Sequence, residues 1–250
     1  MSFYINSDKG NVRKNNEDSF LFEQFEKLNI LILADGVGGH ENGEVASEKA
    51  VNVVMKYIKD NYKLYSDYSH LIVDAFCEAN KIIYELNLER NSGEDEISNR
   101  IMGTTLEVLL ISGNTLYFGH VGDSRIYIKD ENLKMLTKDH SLVQYLYSSG
   151  ALTEEEVKNY NDKNSILRAI GMEKYVEVDV DSIRIKPRDI LLVCSDGLTN
   201  ELSDEEISKM LDYKYSPKEI VDNIISTVKD GLARDNVTVG IFKNDEEILC

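Results

Sequence analysis

The chain has 250 residues, of which 42% are apolar, and this size and composition predict one folded domain with a sizeable core. Its formal net charge of −17 excludes nucleic-acid binding through a clustered basic surface, because that binding needs runs of Lys and Arg. The three cysteines are scattered along the chain, which predicts a protein without disulfides. The sequence shows no basic apolar leader and no apolar run of membrane-spanning length, so we expect a cytoplasmic protein that does not bind membranes. We also expect a monomer.

Apolar runs and helical periodicity alternate in blocks along the chain. A buried strand at 29–34 ends abruptly at Asp35, and two helices follow at about 43–61 and 67–90. Further strands are predicted at 104–111, 115–120, 125–128, 133–136, 176–185, 190–195 and 237–242. Two amphipathic helices are predicted near 203–213 and 217–230, the second opened by Ser216-Pro217. Strands in runs and helices in pairs predict an α+β fold with antiparallel sheets packed by helices.

Acidic residues recur at strand ends and in tight turns, most of them beside a glycine or an asparagine. They are Glu17-Asp18, Asp35-Gly36, Gly122-Asp123, Asp196-Gly197 and Asp235-Asn236. A turn explains any single one of them, since Asp and Gly are common turn residues. An ionised carboxylate at the end of a buried strand, however, is unfavourable unless it is paired or bound to a metal. Together the acids are typical of a site for hard cations such as Mg²⁺ or Mn²⁺, which prefer oxygen ligands.

Such a site indicates a metal-dependent phosphohydrolase. Two cations that share a carboxylate activate water and neutralise an attacked phosphate. Arg13 precedes the first acidic pair and is the candidate for a bidentate contact with the phosphate oxygens. The residues alone leave two other functions open: a catalytically inactive phosphopeptide-binding module, and a hydrolase of small phosphate esters or diesters.

Seven motifs follow one another over nearly the whole chain. They are SDKG at 7–10 with NED at 16–18, DGVGGH at 35–40, MGTT at 102–105, HVGDSR at 120–125, TKDHS at 137–141, LLVCSDGLT at 191–199 and RDNVT at 234–238. This ordered series resembles the PP2C (PPM) family of metal-dependent serine/threonine protein phosphatases in its bacterial form. The resemblance implies a central antiparallel β-sandwich flanked by pairs of helices, a four-layer α-β-β-α arrangement. It also implies a single domain over 1–250 with a flap subdomain at about 140–171.

The resemblance assigns roles to the acidic residues and to Arg13. The implied metal ligands are Asp35 as the bridge between two Mn²⁺ or Mg²⁺ ions, Asp196 and Asp235 on the first ion, Glu17 and the Gly36 carbonyl on the second, and Asp123 with Asp196 on a third, weaker site. Asp18 would support these ligands, and Arg13 would bind the substrate phosphate. The implied reaction is direct attack of a metal-bridging hydroxide on the phosphorus of phosphoserine or phosphothreonine. The implied partners are phosphorylated proteins, including a Ser/Thr kinase and its substrates.

One position departs from the pattern of many eukaryotic members, which carry a histidine directly after the Asp-Gly of the second motif as the proposed general acid. This chain has Val37 there, and His40 is the nearby candidate. A water on the third metal is the alternative proton donor. Tyr145 and Tyr147 in the flap either contact a phosphoprotein or pack the flap onto the domain. The acidic charge favours a neutral or basic sequence around the phosphosite.

Overall fold

Two antiparallel sheets form the centre of the structure, a computed structural model that describes residues 2–37, 42–90, 101–158, 160 and 165–245. The strands are β1 Ser2–Asp8, β2 Asp18–Phe25, β3 Leu28–Val37, β4 Gly103–Thr104, β5 Leu106–Ser112, β6 Thr115–Val121, β7 Arg125–Lys129, β8 Leu133–Met135, β9 Asp179–Arg184, β10 Ile190–Cys194 and β11 Val237–Lys243. Sheet I has the order β1-β11-β10-β7-β8. Sheet II has the order β2-β3-β5-β6-β9, with the short β4 paired to β3.

Helices lie outside the two sheets, and two pairs of them cover the outer sheet faces. They are α1 Asn42–Asn61, α2 Tyr68–Arg90, α3 Leu142–Ser148, α4 Glu154–Lys158, α5 Asp196–Thr199, α6 Asp204–Met210 and α7 Pro217–Asp230. The pair α1 and α2 packs on sheet II, and α6 and α7 pack on sheet I. This is the predicted four-layer α-β-β-α arrangement. Within the described part of the chain, no helix is both long and apolar enough to cross a membrane.

Side-chain alternation explains how one strand serves two apolar layers. On β3, Leu31 and Leu33 face the layer between the sheets, whereas Ile30 and Ile32 face the helices of sheet II. On β10, Leu191 lies in the layer between the sheets. Both strands are therefore buried on both faces, and this is why each is a continuous apolar run in the sequence.

Local signals fix several element boundaries as predicted. Ser216 caps α7 with a capping box in which its hydroxyl accepts the Glu219 N–H and the Glu219 carboxylate accepts the Ser216 N–H at 2.8 Å. Residues 112–115 close the predicted hairpin between β5 and β6. The remaining boundaries shift by a few residues: β9 begins at Asp179 and not near 176, and α6 ends at Met210 and not near 213.

The edge strands β1 and β2 and the single-turn helix α5 were not predicted. β1 pairs with β11 along its whole length, from Ser2 opposite Lys243 to Asp8 opposite Val237. The predicted flap region contains α3 and α4, with residues 159 and 161–164 outside the described part. Backbone hydrogen bonds join this region to the rest of the domain: the His140 N–H donates to the Gly122 carbonyl, and Ile170 exchanges two hydrogen bonds with Thr104. Within the region, the Leu142 N–H donates to the Ser165 carbonyl.

Candidate active site

The acidic residues singled out by sequence lie around one cleft between the ends of the two sheets. The cleft has a volume of about 250 Å³. Its lining includes Arg13, Glu17, Asp35, Gly36, Asp123, Asp196 and Asp235. Asp35 belongs to β3 of sheet II, whereas Asp196 lies two residues after the end of β10 in sheet I and Asp235 lies two residues before the start of β11. The cleft therefore depends on the packing of one sheet on the other.

The backbone of Asp35 is fixed by two threonines. Its carbonyl oxygen accepts the Thr105 N–H and the Thr104 hydroxyl, both at 2.8 Å, and its own N–H donates to Thr105 Oγ1 at 3.0 Å. The next amide, Gly36 N–H, donates to the Glu17 carbonyl at 3.1 Å. The chain around Asp35 is thus held on both sides, and the carboxylate projects from a rigid strand end.

Asp18 links the two sheets beneath the cleft. It is 8% exposed and sits directly opposite Asp35 in the β2–β3 register, an arrangement of like charges that is unfavourable by itself. Its Oδ2 accepts the hydroxyls of Ser195 at 2.8 Å and Thr238 at 2.6 Å, both from sheet I. Its Oδ1 is buried and has no hydrogen-bond partner among the described residues. An ionised oxygen in that position requires a cation or an ordered water.

The sheet I side of the cleft carries Asp196 and Asp235. Asp196 is the first residue of α5, and its Oδ2 accepts a hydrogen bond from Asn200 Nδ2 at 2.9 Å. Asp235 Oδ2 accepts a bond of 2.6 Å from Arg13 Nη2. Half of the Arg13 side chain is exposed. The guanidinium therefore sits at the mouth of the cleft with part of its hydrogen-bonding capacity facing solvent.

The electrostatics of the cleft disfavour ionised carboxylates that lack a counterion. Burial, reinforced by repulsion between neighbouring carboxylates, raises the pKa of Asp196 to about 6, of Asp18 to about 7 and of Asp123 to about 8. The same two causes raise the pKa of Asp35 well above its ordinary value, and the neighbours responsible include Asp18, Asp196 and Asp123. A bound cation reverses this balance, because it favours the ionised form of each carboxylate around it.

The donor set fits hard divalent cations. Carboxylate oxygens and a backbone carbonyl are the ligands that Mg²⁺ and Mn²⁺ prefer, and among the residues that the structure describes no His or Cys lines the cleft. Among the described residues, no three His, Cys, Asp or Glu side chains are already arranged as a finished coordination sphere. The cleft thus gathers the ligands, and a cation would complete their arrangement.

Comparison with known proteins identifies the family. Residues 11–230 match the family Protein phosphatase 2C. The chain belongs to this family. It is 36% identical over 242 residues to the serine/threonine phosphatase stp of Listeria monocytogenes serotype 4b, with 96% of this chain and 94% of that protein covered.

Solved structures of related phosphatases agree with the fold. The Streptococcus agalactiae serine/threonine phosphatase superposes with a TM-score of 0.85 at 33% identity, covering 97% of this chain and 99% of that one. The catalytic domain of the serine/threonine protein phosphatase PstP, solved with two manganese ions, superposes with a TM-score of 0.79 at 35% identity, covering 96% of each chain. The protein is therefore a serine/threonine phosphatase of the 2C type that acts on phosphoproteins, and its family is metal dependent.

Two cleft-lining residues of the phosphatase, Ile166 and Asn236, were given no role from the sequence. Asn236 joins three backbone segments, because its Oδ1 accepts the Glu17 N–H at 2.8 Å and its Nδ2 donates to the Lys9 and Asn15 carbonyls at 3.0 and 2.9 Å. It thereby fixes the loop that carries Glu17. In the sequence, only its position next to Asp235 could have indicated that Asn236 belongs to the cleft.

Two histidines of the phosphatase, His120 and His140, support the structure around the cleft. His120 is buried and contacts Glu107 Oε1 and the Lys138 carbonyl, each at 3.1 Å. His140 Nδ1 accepts the Gly122 N–H at 3.0 Å and so supports the turn that carries Asp123. Both are structural. His40, the candidate general acid, lies outside the described residues.

Cys194 and the flap tyrosines differ in exposure. Cys194 is fully buried in the apolar layer beneath α5, α6 and α7, so it points away from the cleft, as strand alternation predicts. Tyr145 and Tyr147 on α3 are 63% and 44% exposed, so part of each ring is open to a partner.

Gly36 brings the end of β3 into direct contact with the start of α1. A methyl group at Gly36 would lie 2.3 Å from the carbonyl carbon and oxygen of Gly43. We expect Gly36→Ala to lower the free energy of unfolding by about 1–3 kcal/mol, because strand and helix must separate. Phosphatase activity should fall with it, since the Gly36 carbonyl lines the cleft. Urea denaturation monitored by circular dichroism measures the loss.

Gly231→Ala is the matched control, because the nearest atom to a new methyl group there is 3.3 Å away. Equal stability of the two variants would show that β3 and α1 adjust to the extra methyl group without cost.

Proposed function

We propose that the phosphatase binds two Mn²⁺ or Mg²⁺ ions in the cleft, with a third, weaker site beside them. The proposed ligands are Asp35 as the bridge, Asp196 and Asp235 for the first ion, Glu17 and the Gly36 carbonyl for the second, and Asp123 with Asp196 for the third. The observation that carries this proposal is the convergence of these oxygens, from both sheets, on a single cleft together with one arginine. When bound, the cations would activate a water and offset the charge of the attacked phosphate.

The chain's own residues bind and orient the substrate in this proposal. Arg13 would bind the non-reacting oxygens of the phosphate, because its guanidinium lies at the mouth of the cleft. Asn200 holds the Asp196 carboxylate in one orientation through its 2.9 Å hydrogen bond. Asp18 would keep the sheet edges together through Ser195 and Thr238 while its free oxygen faces the charged centre.

The leaving serine or threonine alkoxide needs a proton donor. Val37 lines the cleft at the position where many eukaryotic members carry histidine, and a valine side chain cannot donate a proton. His40 therefore stays our side-chain candidate for the general acid. Replacing it with Gln tests the assignment: a general acid would lower kcat for a phosphopeptide far more than for an aryl phosphate, whose leaving group needs no proton.

We further propose that the enzyme works as a cytoplasmic monomer on phosphorylated proteins that include a Ser/Thr kinase and its substrates. The exposed Tyr145 and Tyr147 on α3 support a protein substrate, because the start of α3 bonds to Ser165, the neighbour of the cleft residue Ile166. Exposed aromatic side chains of this kind contribute contact area at low entropic cost.

The deciding experiment is phosphate release from a phosphothreonine peptide by chelator-stripped protein, with and without Mn²⁺. We expect activity only with the metal, and we expect a phosphodiester to be hydrolysed far more slowly. Turnover without any divalent cation would contradict the proposed metal centre. Metal binding without turnover would favour a phosphopeptide-binding function instead.

The stability of the chelator-stripped protein should fall as pH rises from 6.5 to 8.5. The pKa values of about 7 for Asp18 and about 8 for Asp123 lie above the 3.8 of an unfolded aspartate. The native state therefore holds more protons than the unfolded state in this window, and its stability decreases with pH. The expected loss is on the order of 2 kcal/mol, because one pKa unit corresponds to about 1.4 kcal/mol.

Thermal unfolding at pH 6.5 and 8.5, with EDTA or with Mn²⁺, measures this effect, and added Mn²⁺ should stabilise the protein more at the higher pH. Asp123→Asn removes one of the titrating groups and should flatten the profile of the chelated protein. His120 and His140 do not interfere, because burial lowers the pKa of each to about 4. An equally steep profile in the variant would exclude Asp123 as a source.

A further inference from the structure

Helix α2 buries two asparagines on the face that packs against the backbone at Met102 and Gly171. Asn80 is 2% exposed and Asn87 is 4% exposed, and they lie about two helical turns apart. The neighbouring buried residues of α2 are apolar, for example Ile83. A buried amide is costly unless its donors and acceptor are satisfied, so these two side chains need partners across the helix interface.

Both asparagines bind the backbone of two segments that lie side by side. Asn87 Oδ1 accepts the Met102 N–H at 3.0 Å, and its Nδ2 donates to the carbonyls of Met102 and Gly171 at 2.8 and 2.9 Å. Asn80 Oδ1 accepts the Gly171 N–H at 2.8 Å, and its Nδ2 donates to the Glu173 carbonyl at 3.0 Å. We call Asn80 and Asn87 the asparagine clamp.

Gly171 is the shared point of the asparagine clamp. Its backbone has a φ of +87°, and a methyl group there would lie 2.2 Å from Ile83 Cγ2. Only glycine combines this conformation with so close an approach to the helix. Helix α2 therefore touches the backbone itself at this position, and both polar groups of Gly171 are held by the two asparagines.

The segments held by the asparagine clamp lead directly to Asp35. Thr104 and Ile170 exchange two backbone hydrogen bonds, of 3.2 and 2.9 Å. Thr104 Oγ1 and Thr105 N–H then donate to the Asp35 carbonyl, and Thr105 Oγ1 accepts the Asp35 N–H. An unbroken series of hydrogen bonds thus runs from α2 through two chain segments to the residue at the centre of the cleft.

We propose that Asn80 and Asn87 are positioning residues for the phosphatase reaction. They fix the 101–105 segment and, through it, the orientation of Asp35 at the metal centre. They also hold the end of the flap region, which brings Ile166 to the cleft wall. The proposal rests on the assignment of Asp35 as a metal ligand. It assigns the two asparagines a measurable effect on metal affinity, which a purely structural pair in a helix interface lacks.

The test compares Mn²⁺ binding by Asn87→Ala and by Ile72→Val, measured by isothermal titration calorimetry well below the melting temperature of both variants. Ile72 is fully buried on α2 and faces Gly119 of β6, away from the asparagine clamp, so its truncation weakens the same helix without touching the series of bonds. We expect Asn87→Ala to bind Mn²⁺ about tenfold or more weakly, which is the usual effect of removing a group that orients a ligand. Ile72→Val should bind Mn²⁺ like the wild type. Equal affinities in the two variants would overturn the proposal.

A second variant and a second measurement keep the Mn²⁺-binding test decisive. If Asn87→Ala does not fold, Asn80→Ala replaces it with a smaller expected loss, because the bonds to Met102 remain. Amide hydrogen exchange of 101–105 is then measured in both variants without metal: faster exchange in the asparagine variant supports the clamp, and unchanged exchange overturns it. Failure of the wild type to bind Mn²⁺ would contradict the proposed function instead, and the exchange measurement would still decide whether Asn80 and Asn87 fix the segment.

Discussion

Replacing Asp35 with asparagine is expected to abolish metal-dependent phosphatase activity, with a loss of about 10³-fold or more in kcat. The amide keeps the shape of the carboxyl group but cannot bridge two cations. The fold should survive, because the backbone of Asp35 is held by Thr104 and Thr105 and not by its side chain. The variant should even be at least as stable as the wild type under chelation, since a buried carboxyl surrounded by other carboxylates is removed.

Asp196→Asn should behave in the same way, and Asp189→Asn is the matched control. Asp189 is 5% exposed and accepts the Lys186 N–H at 2.7 Å, but it lies at the start of β10 and not at the cleft end. Steady-state kinetics on a phosphothreonine peptide and thermal melts with and without Mn²⁺ give the two readouts. Full activity of Asp35→Asn would refute the proposed metal centre, and loss of activity in Asp189→Asn would mean that burial alone explains the effect.

Removing the guanidinium of Arg13 should lower kcat/KM for a phosphopeptide by about 10–100-fold. Hydrogen bonds to a charged group contribute roughly 1.5–3 kcal/mol, and Arg13→Ala loses those to the phosphate. The same variant also frees Asp235 from its ion pair. We therefore expect Mn²⁺ affinity to be unchanged or higher while substrate turnover falls. A fall in turnover without a fall in Mn²⁺ affinity distinguishes a residue that contacts the substrate from one that only supports the metal site.

Arg184→Ala controls for the loss of one positive charge, because Arg184 ends the edge strand β9 and does not line the cleft. Its kinetics should match the wild type. Arg13→Lys should recover only part of the activity, since an ammonium group cannot make two parallel bonds to phosphate. If Arg13→Ala retains full kcat/KM, the arginine serves only to neutralise Asp235.

The sequence was most informative where one physical signal decided the structure. β3 and β10 are buried on both faces, so their continuous apolar runs could only be strands or buried helices, and their length favoured strands. β1 carried no such signal, because its residues are all only partly buried and its place is set by pairing with β11 at the far end of the chain. A contact between residues so distant in sequence has no local pattern.

The residues around the cleft likewise differ in how well the sequence predicts them. Asp35 and Asp196 could be placed because each follows a buried strand, where an ionised carboxylate demands an explanation. The asparagine clamp could not be foreseen, since Asn80 and Asn87 occur in a helix whose apolar spacing already accounts for its packing. Nothing in the sequence indicates that their partners are the backbone at Met102 and Gly171. His40 stays a prediction.

The width of the cleft is set by apolar side chains that do not line it. Sheet II carries Asp35 and sheet I delivers Asp196, so the separation of these carboxylates follows the thickness of the apolar layer between the sheets, where Leu33 and Val193 lie. Protein interiors are close-packed, and the layer therefore has one preferred thickness for a given set of side chains. Mg²⁺ requires ligand distances of about 2.0–2.1 Å, whereas Ca²⁺ accepts about 2.3–2.6 Å. The hydrocarbon volume in the middle of the sandwich thus sets the starting separation of the carboxylates from which any such cation would take its ligands.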